Sequence, residues 1–151
     1  MSIRVIARQS RLSQLQVQEA MARFPDIDYR LETRSSYGDR HQQISLLNGE
    51  APADMFTREL DEALVDGRAD IAVHSAKDLP YPLDERLEVV ALFPPFDQSD
   101  SLVSRDHLTL NQLPAGSRVG TSSPMRRCEL LDLRPDLTIV GIRGCIEERI
   151  R

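Results

Sequence analysis

The sequence predicts an α/β protein of two similar lobes, and three observations carry that prediction. Residues 4–7 (Arg-Val-Ile-Ala) form a short apolar run that passes through Arg8-Gln9-Ser10 into a segment with helical spacing of apolar residues. Residues 118–120 (Arg-Val-Gly) pass in the same way through Thr121-Ser122-Ser123 into a second such segment, opened by Pro124. Between them, Ile71-Ala72-Val73 reads as a buried strand that Pro80 and Pro82 stop from continuing. Strand, small polar turn and helix is a recurrent α/β unit, and two copies suggest two lobes facing each other across a cleft.

In the first lobe Ser10 is a natural N-cap, and Leu12, Leu15, Ala20, Met21 and Phe24 supply the apolar face of the helix that follows. Pro25 and Asp26 end it, residues 29–33 alternate as a second strand, and residues 35–52 are a long polar loop of the kind that covers sites. A helix is expected over 55–66, with Phe56, Leu60, Ala63 and Leu64 inward, Asp54 as cap and Gly67 as stop. Residues 87–93 read as one more apolar strand, and Pro94-Pro95 with the polar residues up to Asp100 marks a crossing between domains. The boundaries are therefore set at 1–96 and 97–151.

The second unit continues with a helix carrying Met125, Cys128, Leu131 and Leu133, a strand over 138–142, a turn at Arg143-Gly144, and the start of a helix at Cys145 with no cap or stop. So few strands leave apolar edges uncovered. The chain is expected either to self-associate through this incomplete unit or to lack downstream sequence.

Composition narrows the function. With 40 % hydrophobic and 28 % charged residues the chain is an ordinary globular one, and its net charge of −5 argues against a nucleic-acid surface. No run is long enough for a membrane span or a secretory leader, so a cytoplasmic location is expected. Cys128 and Cys145 show neither metal-ligand nor redox spacing and read as reduced core residues; no metal site is expected.

Eighteen of the nineteen basic residues are arginine, and the single lysine, Lys77, stands with His74, Ser75 and Asp78 at the exit of the strand at 71–73, where α/β folds place ligand chemistry. On a turn Lys77 and Asp78 could both line a cleft, and a solvated ion pair or helix cap is an equally good reading of them. Arg126 and Arg127 lie in a first helical turn, where the helix dipole disfavours cations unless an anion is bound against the N–H groups. Thr121, Ser122 and Ser123 add hydroxyls there, Arg8 with Ser10 repeats the arrangement, and Arg143 and Arg149 could add further forks. Guanidinium pairs with carboxylate bidentately, so a polycarboxylate ligand is favoured and phosphate is the other candidate. The competing reading is that arginine use is simply high in this chain, with helix-face salt bridges such as Arg58 with Glu62 or Glu148 with Arg151, and it covers most of the eighteen.

Several motifs, in order, cover nearly the whole chain: Ala7-Arg8-Gln9-Ser10, Phe56-Thr-Arg-Glu-Leu60, Arg68-Ala-Asp-Ile-Ala-Val-His-Ser-Ala-Lys-Asp-Leu-Pro80, Leu113-Pro-Ala-Gly-Ser117, Val119-Gly-Thr-Ser-Ser123, Arg134-Pro-Asp-Leu137 and Ile142-Arg-Gly144. Together they resemble the porphobilinogen deaminase (hydroxymethylbilane synthase) family, N-terminal portion. The resemblance implies a transferase of tetrapyrrole (haem) biosynthesis that joins four porphobilinogen molecules head to tail, with release of ammonia, on a dipyrromethane primer held by a cysteine thioether. It implies Asp78 as the catalytic residue, stabilising cationic pyrrole intermediates as a carboxylate charged at neutral pH can. It further implies Lys77, Ser75, Ser123, Arg126, Arg127, Arg143 and Arg149 as cofactor-binding residues, and Arg8 and Ser10 as substrate-binding ones. The implied fold is two periplasmic-binding-protein-like α/β lobes and a small third α/β domain.

Three departures qualify that reading. The third domain with its glycine-cysteine attachment motif is absent here, and neither Cys128 nor Cys145 stands at that position, so no covalently bound dipyrromethane is expected. Thr33-Arg34-Ser-Ser-Tyr-Gly38-Asp39 replaces a more compact family segment, and Asn48-Gly-Glu-Ala-Pro-Ala-Asp54 replaces the glycine- and lysine-rich lid. The turn 121–127 is one residue longer before its arginine pair, which leaves the hydroxyl register open by one position. By family comparison the first domain lacks its returning segment and the second is half built, so the expectation is an inactive N-terminal piece of the enzyme. The alternatives are a non-catalytic carboxylate- or pyrrole-binding module, against which the presence of both Lys77 and Asp78 counts, and a partner-dependent subunit supplying half a site.

Overall fold

A computed structural model describes residues 2–95 and 97–150; Met1, Phe96 and Arg151, and with them the limits of the expected domains and the expected Glu148–Arg151 pair, lie outside the described residues. The chain is a mixed α/β protein with parallel sheets, divided into two compact units.

The first unit comprises Met1–His41 and Pro52–Pro94. Its sheet has the order β2-β1-β3, with β1 (Ile3–Arg8) between β2 (Tyr29–Arg34) and β3 (Ile71–Ala72), all parallel. Val5, Ile6 and Ala7 are consecutive and fully buried, as expected of a central parallel strand covered on both faces. On one face Val5 and Ala7 pack with Val17 and Met21 of α1 (Arg11–Met21); on the other Ile6 packs with Leu60 and Ala63 of α3 (Arg58–Val65) and with Ala69. The result is a helix–sheet–helix layering that holds the exits of β1 and β3 side by side.

Ser10 caps α1 as expected, its hydroxyl accepting from Ser13 N at 3.2 Å. The buried face of α1 differs from the predicted one: Ser13, Val17, Ala20 and Met21 are inside, while Leu12 and Leu15 are about half exposed (48 % and 49 %) and Phe24 turns instead to the ring of Phe93. The apolar spacing of Leu12 and Leu15 fits a helical face, but that face points away from the sheet. The helix at 55–66 is shorter, and Thr57 rather than Asp54 occupies its N-cap; Asp54 pairs instead with Arg58, at 2.7 Å, in place of the expected Arg58–Glu62 bridge. Gly67, at φ +66, does end the helix, in the left-handed region that glycine adopts without cost.

Residues 87–93, read as a strand, join no ladder. The segment is extended but unpaired, and Val89, Val90 and Leu92 are exposed. Its β-rich composition has no neighbouring strand to pair with, and strand propensity acts through such neighbours.

The second unit comprises Gln42–Ala51 and Pro95–Arg151. The loop 42–51, expected in the first lobe, thus clusters with the second. Leu47 lies where a Cβ on Gly141 would meet it at 3.3 Å, and Gln42, Gln43, Ser45 and Leu46 line a hollow with Ser122 and Arg143. Strands β4 (Arg118–Thr121) and β5 (Thr138–Gly141) pair in parallel, followed by α4 (Pro124–Leu133) and α5 (Ile146–Arg149) respectively. Gly120 is needed by close approach, since a Cβ there would sit 2.9 Å from Ile142 Cγ2. The core is small: Val119, Thr121 and Leu137 are buried, and α4 buries none of its residues, Met125 and Leu133 included. Cys128 and Cys145, expected in the core, are both exposed. Cys145 also stands at the N-cap of α5, where no cap is expected from the sequence, with Glu148 accepting from its N–H at 2.7 Å.

Candidate functional site

At the exits of β1 and β3 the first unit gathers Arg8, Ser10, His74, Ser75 and Asp78. The strand β3 ends at Ala72, and a 3₁₀ turn over Ala76–Asp78 follows, closed by Asp78 N donating to Ser75 O at 2.9 Å. This turn turns the Asp78 carboxylate back toward β1, where Arg8 Nη1 lies 3.8 Å from Asp78 Oδ2. Both side chains are about four-fifths buried (20 % and 21 % exposed), so their interaction is less screened than a surface pair. Lys77 is exposed on the same turn.

Arg8 is held by more than Asp78. Its Nε donates to Asp39 Oδ2 at 3.2 Å, its Nη2 pairs with Asp39 Oδ1, and its Cζ sits 4.4 Å from the centre of the Phe56 ring. Asp39 belongs to a one-turn helix, α2 within the loop (Tyr37–Arg40), capped by Ser36 in a reciprocal capping box. Burial alone would push the Asp39 carboxyl up, but hydrogen bonds from Arg8 and Ser36 and the adjacent guanidinium outweigh it and hold the group below the ordinary carboxylate range. Ser75 is held too, its Oγ accepting from Gln16 Nε2 at 2.9 Å. Nothing in the sequence assigns Asp39, Ser36 or Gln16 to the site, and Phe56, expected as an inward helix residue, lies under the Arg8 guanidinium instead. The Ser36-x-x-Asp39 spacing is a capping-box signature and was legible as such; the Gln16–Ser75 contact, spanning 59 residues, was not.

The His74 side chain is largely buried, with Nε2 lacking a hydrogen-bond partner among the described residues and lying 4.0 Å from Asp61 Oδ1. Burial pushes its pKa below the ordinary 6.5; the charge of Asp78 pulls it up and that of Arg8 pushes it further down. The unfolded chain therefore takes up a proton that the folded chain refuses. This contribution to stability is fully present above about pH 6.5 and is lost as pH falls below that value toward the lowered folded pKa. Thermal midpoints measured from pH 7.5 downward should show a decline beginning near pH 6.5 that is weakened in His74→Gln.

In the second unit the expected anion-binding residues collect at the exits of β4 and β5 and the N-terminus of α4. Ser123 caps α4, accepting from Arg126 N at 3.3 Å, and Ser122 Oγ donates to Ile142 O. Arg126 pairs with Asp100 (Nη2–Oδ1 2.5 Å), a partner that the sequence did not reveal, and Arg127 is exposed on the same turn. Arg143 lines a hollow of about 210 Å³ with Ser122, Ile142 and the loop at 42–46. Arg149 is exposed, its Nε donating to Gly144 O at 2.8 Å. Hydroxyls, guanidiniums and the N–H groups of a ten-residue helix form a donor set suited to carboxylates, so the chemistry of these residues fits a carboxylate-bearing dipyrrole.

Comparison with known proteins matches residues 3–151 to the model of the family described as porphobilinogen deaminase, dipyromethane cofactor binding domain. The porphobilinogen deaminase of Buchnera aphidicola subsp. Acyrthosiphon pisum (strain Tuc7) is 37 % identical over 155 residues, covering 99 % of this chain and 48 % of the relative. The probable porphobilinogen deaminase of Ignicoccus hospitalis is 38 % identical over 156 residues (99 % and 51 %), and the porphobilinogen deaminase of Limosilactobacillus reuteri (strain DSM 20016) is 40 % identical over 152 residues (96 % and 49 %). The chain spans about half the length of the curated relatives it matches. With its motifs, its parallel α/β units and a match along almost all of its length, the chain belongs to the porphobilinogen deaminase family.

Proposed function

We propose that the protein acts in tetrapyrrole biosynthesis as the part of a porphobilinogen deaminase that carries the reacting carboxylate and much of the cofactor cradle, its two units being periplasmic-binding-protein-like lobes. The observation that carries this reading is the Asp78 carboxylate, largely buried at the exit of β3 and 3.8 Å from Arg8 at the exit of β1.

In the reaction the carbon–nitrogen bond of the substrate's aminomethyl group breaks, ammonia leaves, and a bond forms between that carbon and a free ring carbon of the growing chain, which gives up its proton. Positive charge builds on the pyrrole ring as the amine departs. Asp78 offsets it and accepts a hydrogen bond from the pyrrole N–H, an interaction strengthened by removal from water. Ser75 and Lys77, on the same turn, and Ser123, Arg126, Arg127, Arg143 and Arg149, in the second unit, bind carboxylate side chains, while Arg8 and Ser10 face the incoming substrate. Dipyrromethane, when bound, supplies the acceptor end for the first addition.

The test is turnover of porphobilinogen by the protein as its gene encodes it. One ammonia released per pyrrole joined, with a linear tetrapyrrole as product, is expected; binding of porphobilinogen without ammonia release would instead support the non-catalytic binding module.

A further inference from the structure

Resting on the reading of Asp78 as the carboxylate that meets the substrate ring, we propose that Asp39 is a positioning residue: it holds the Arg8 guanidinium away from Asp78 and so keeps the Asp78 carboxylate available. Arg8 stands between two carboxylates. It gives Nε and Nη2 to Asp39, the first at 3.2 Å, and turns only Nη1 toward Asp78, at 3.8 Å, beyond hydrogen-bond length. A planar guanidinium forms its strongest contact with a carboxylate through two parallel N–H groups, and Asp39 occupies that edge. Without Asp39 the same fork is free to close on Asp78 and neutralise it.

Asp39 is itself fixed. Ser36 N and Ser36 Oγ donate to Asp39 Oδ2 at 3.0 and 2.8 Å, and Ser36 is fully buried. The preceding residue, Gly38, donates its N–H to Met55 O at 2.8 Å, and a Cβ there would lie 2.6 Å from Met55 Cγ, so the turn is packed directly against the start of the α3 region. Phe56, beside Met55, forms the floor under the guanidinium. The α2 turn, Phe56 and β1 thus fix the orientation of Arg8 from three sides. With Arg8 taken up by Asp39, the Asp78 charge is left to meet the cationic aminomethyl end of the substrate and the ring charge that follows its departure.

The experiment compares wild type, Asp39→Asn and Asp39→Glu in the protein as its gene encodes it, by steady-state turnover of porphobilinogen, thermal midpoint and the ¹⁵N resonance of Arg8 Nε. Asparagine keeps an acceptor for Ser36 and so preserves the cap. The expected result is a fall in kcat of about 10²-fold for Asp39→Asn, with KM within about threefold of wild type, an unchanged midpoint and a displaced Arg8 Nε signal. Asp39→Glu should recover about tenfold of the lost rate by restoring the charged partner. Wild-type kcat in Asp39→Asn, or an unmoved Arg8 signal, overturns the proposal; so does an equal loss in both variants with a lowered midpoint, which marks a purely structural role. Failure of the wild type to turn over porphobilinogen overturns the underlying reading and this proposal with it, whereas an active wild type with an unaffected Asp39→Asn overturns this proposal alone.

Discussion

Asp78→Asn is expected to lower porphobilinogen turnover by about 10²- to 10³-fold, the scale on which removal of one preorganised electrostatic group acts, while the protein folds as before. The substitution is isosteric and keeps an oxygen that can accept a hydrogen bond from a pyrrole N–H, but it removes the charge that the proposed mechanism sets against the cationic ring. Little in the fold depends on that charge: the turn carrying residue 78 is closed by its backbone N–H to Ser75 O, and the Arg8 contact at 3.8 Å is longer than a hydrogen bond. Initial rates of ammonia release, read beside thermal midpoints, separate the two effects. Near-wild-type rates would remove Asp78 from the chemistry, and a large fall in midpoint would make its role structural.

Leu60→Ala is expected to cost about 2–5 kcal/mol of stability, as deletion of a fully buried leucine does. Leu60 is wholly inaccessible and joins α3 to the central strand through Ile6, Ala63 and Ala69. Losing it opens a cavity beneath the residues leading to Arg8, and the packing of α3 on β1 is what keeps the exits of β1 and β3 together. Urea unfolding measures the cost directly. The matched control is Leu15→Ala on the half-exposed face of α1, expected to change stability by about 0.5 kcal/mol. A Leu15→Ala cost as large as that of Leu60→Ala would contradict the layering described for the first unit.

What the sequence revealed and what it concealed divides along the range of the interactions. The cap at Ser10, the stop at Gly67 and the proline opening α4 depend on neighbours a few residues away, and local pattern sufficed for them; β1, β2, β4 and β5 pair with strands 20 or more residues away, and only their apolar or alternating runs showed in the sequence. The inward face of α1 depends on where the sheet lies, so Leu12 and Leu15 misled and Val17 was overlooked. The segment 87–93 has the composition of a strand without a strand beside it. At the site, the motif around Asp78 stood out because it compresses four titratable or hydroxyl-bearing residues into five positions. Its supporting partners lie far along the chain: Asp39 is 31 residues from Arg8, Gln16 is 59 from Ser75, and Asp100 is 26 from Arg126. Such pairings come from tertiary structure, and only the Ser36–Asp39 capping box announced itself locally.

The most direct test of the central claim is a crystal structure of the protein with porphobilinogen bound. An Asp78 Oδ atom within hydrogen-bond distance of the pyrrole nitrogen, with Arg8 still paired to Asp39, is the predicted result; a ring bound elsewhere, with the Asp78 carboxylate directed into solvent, would contradict it.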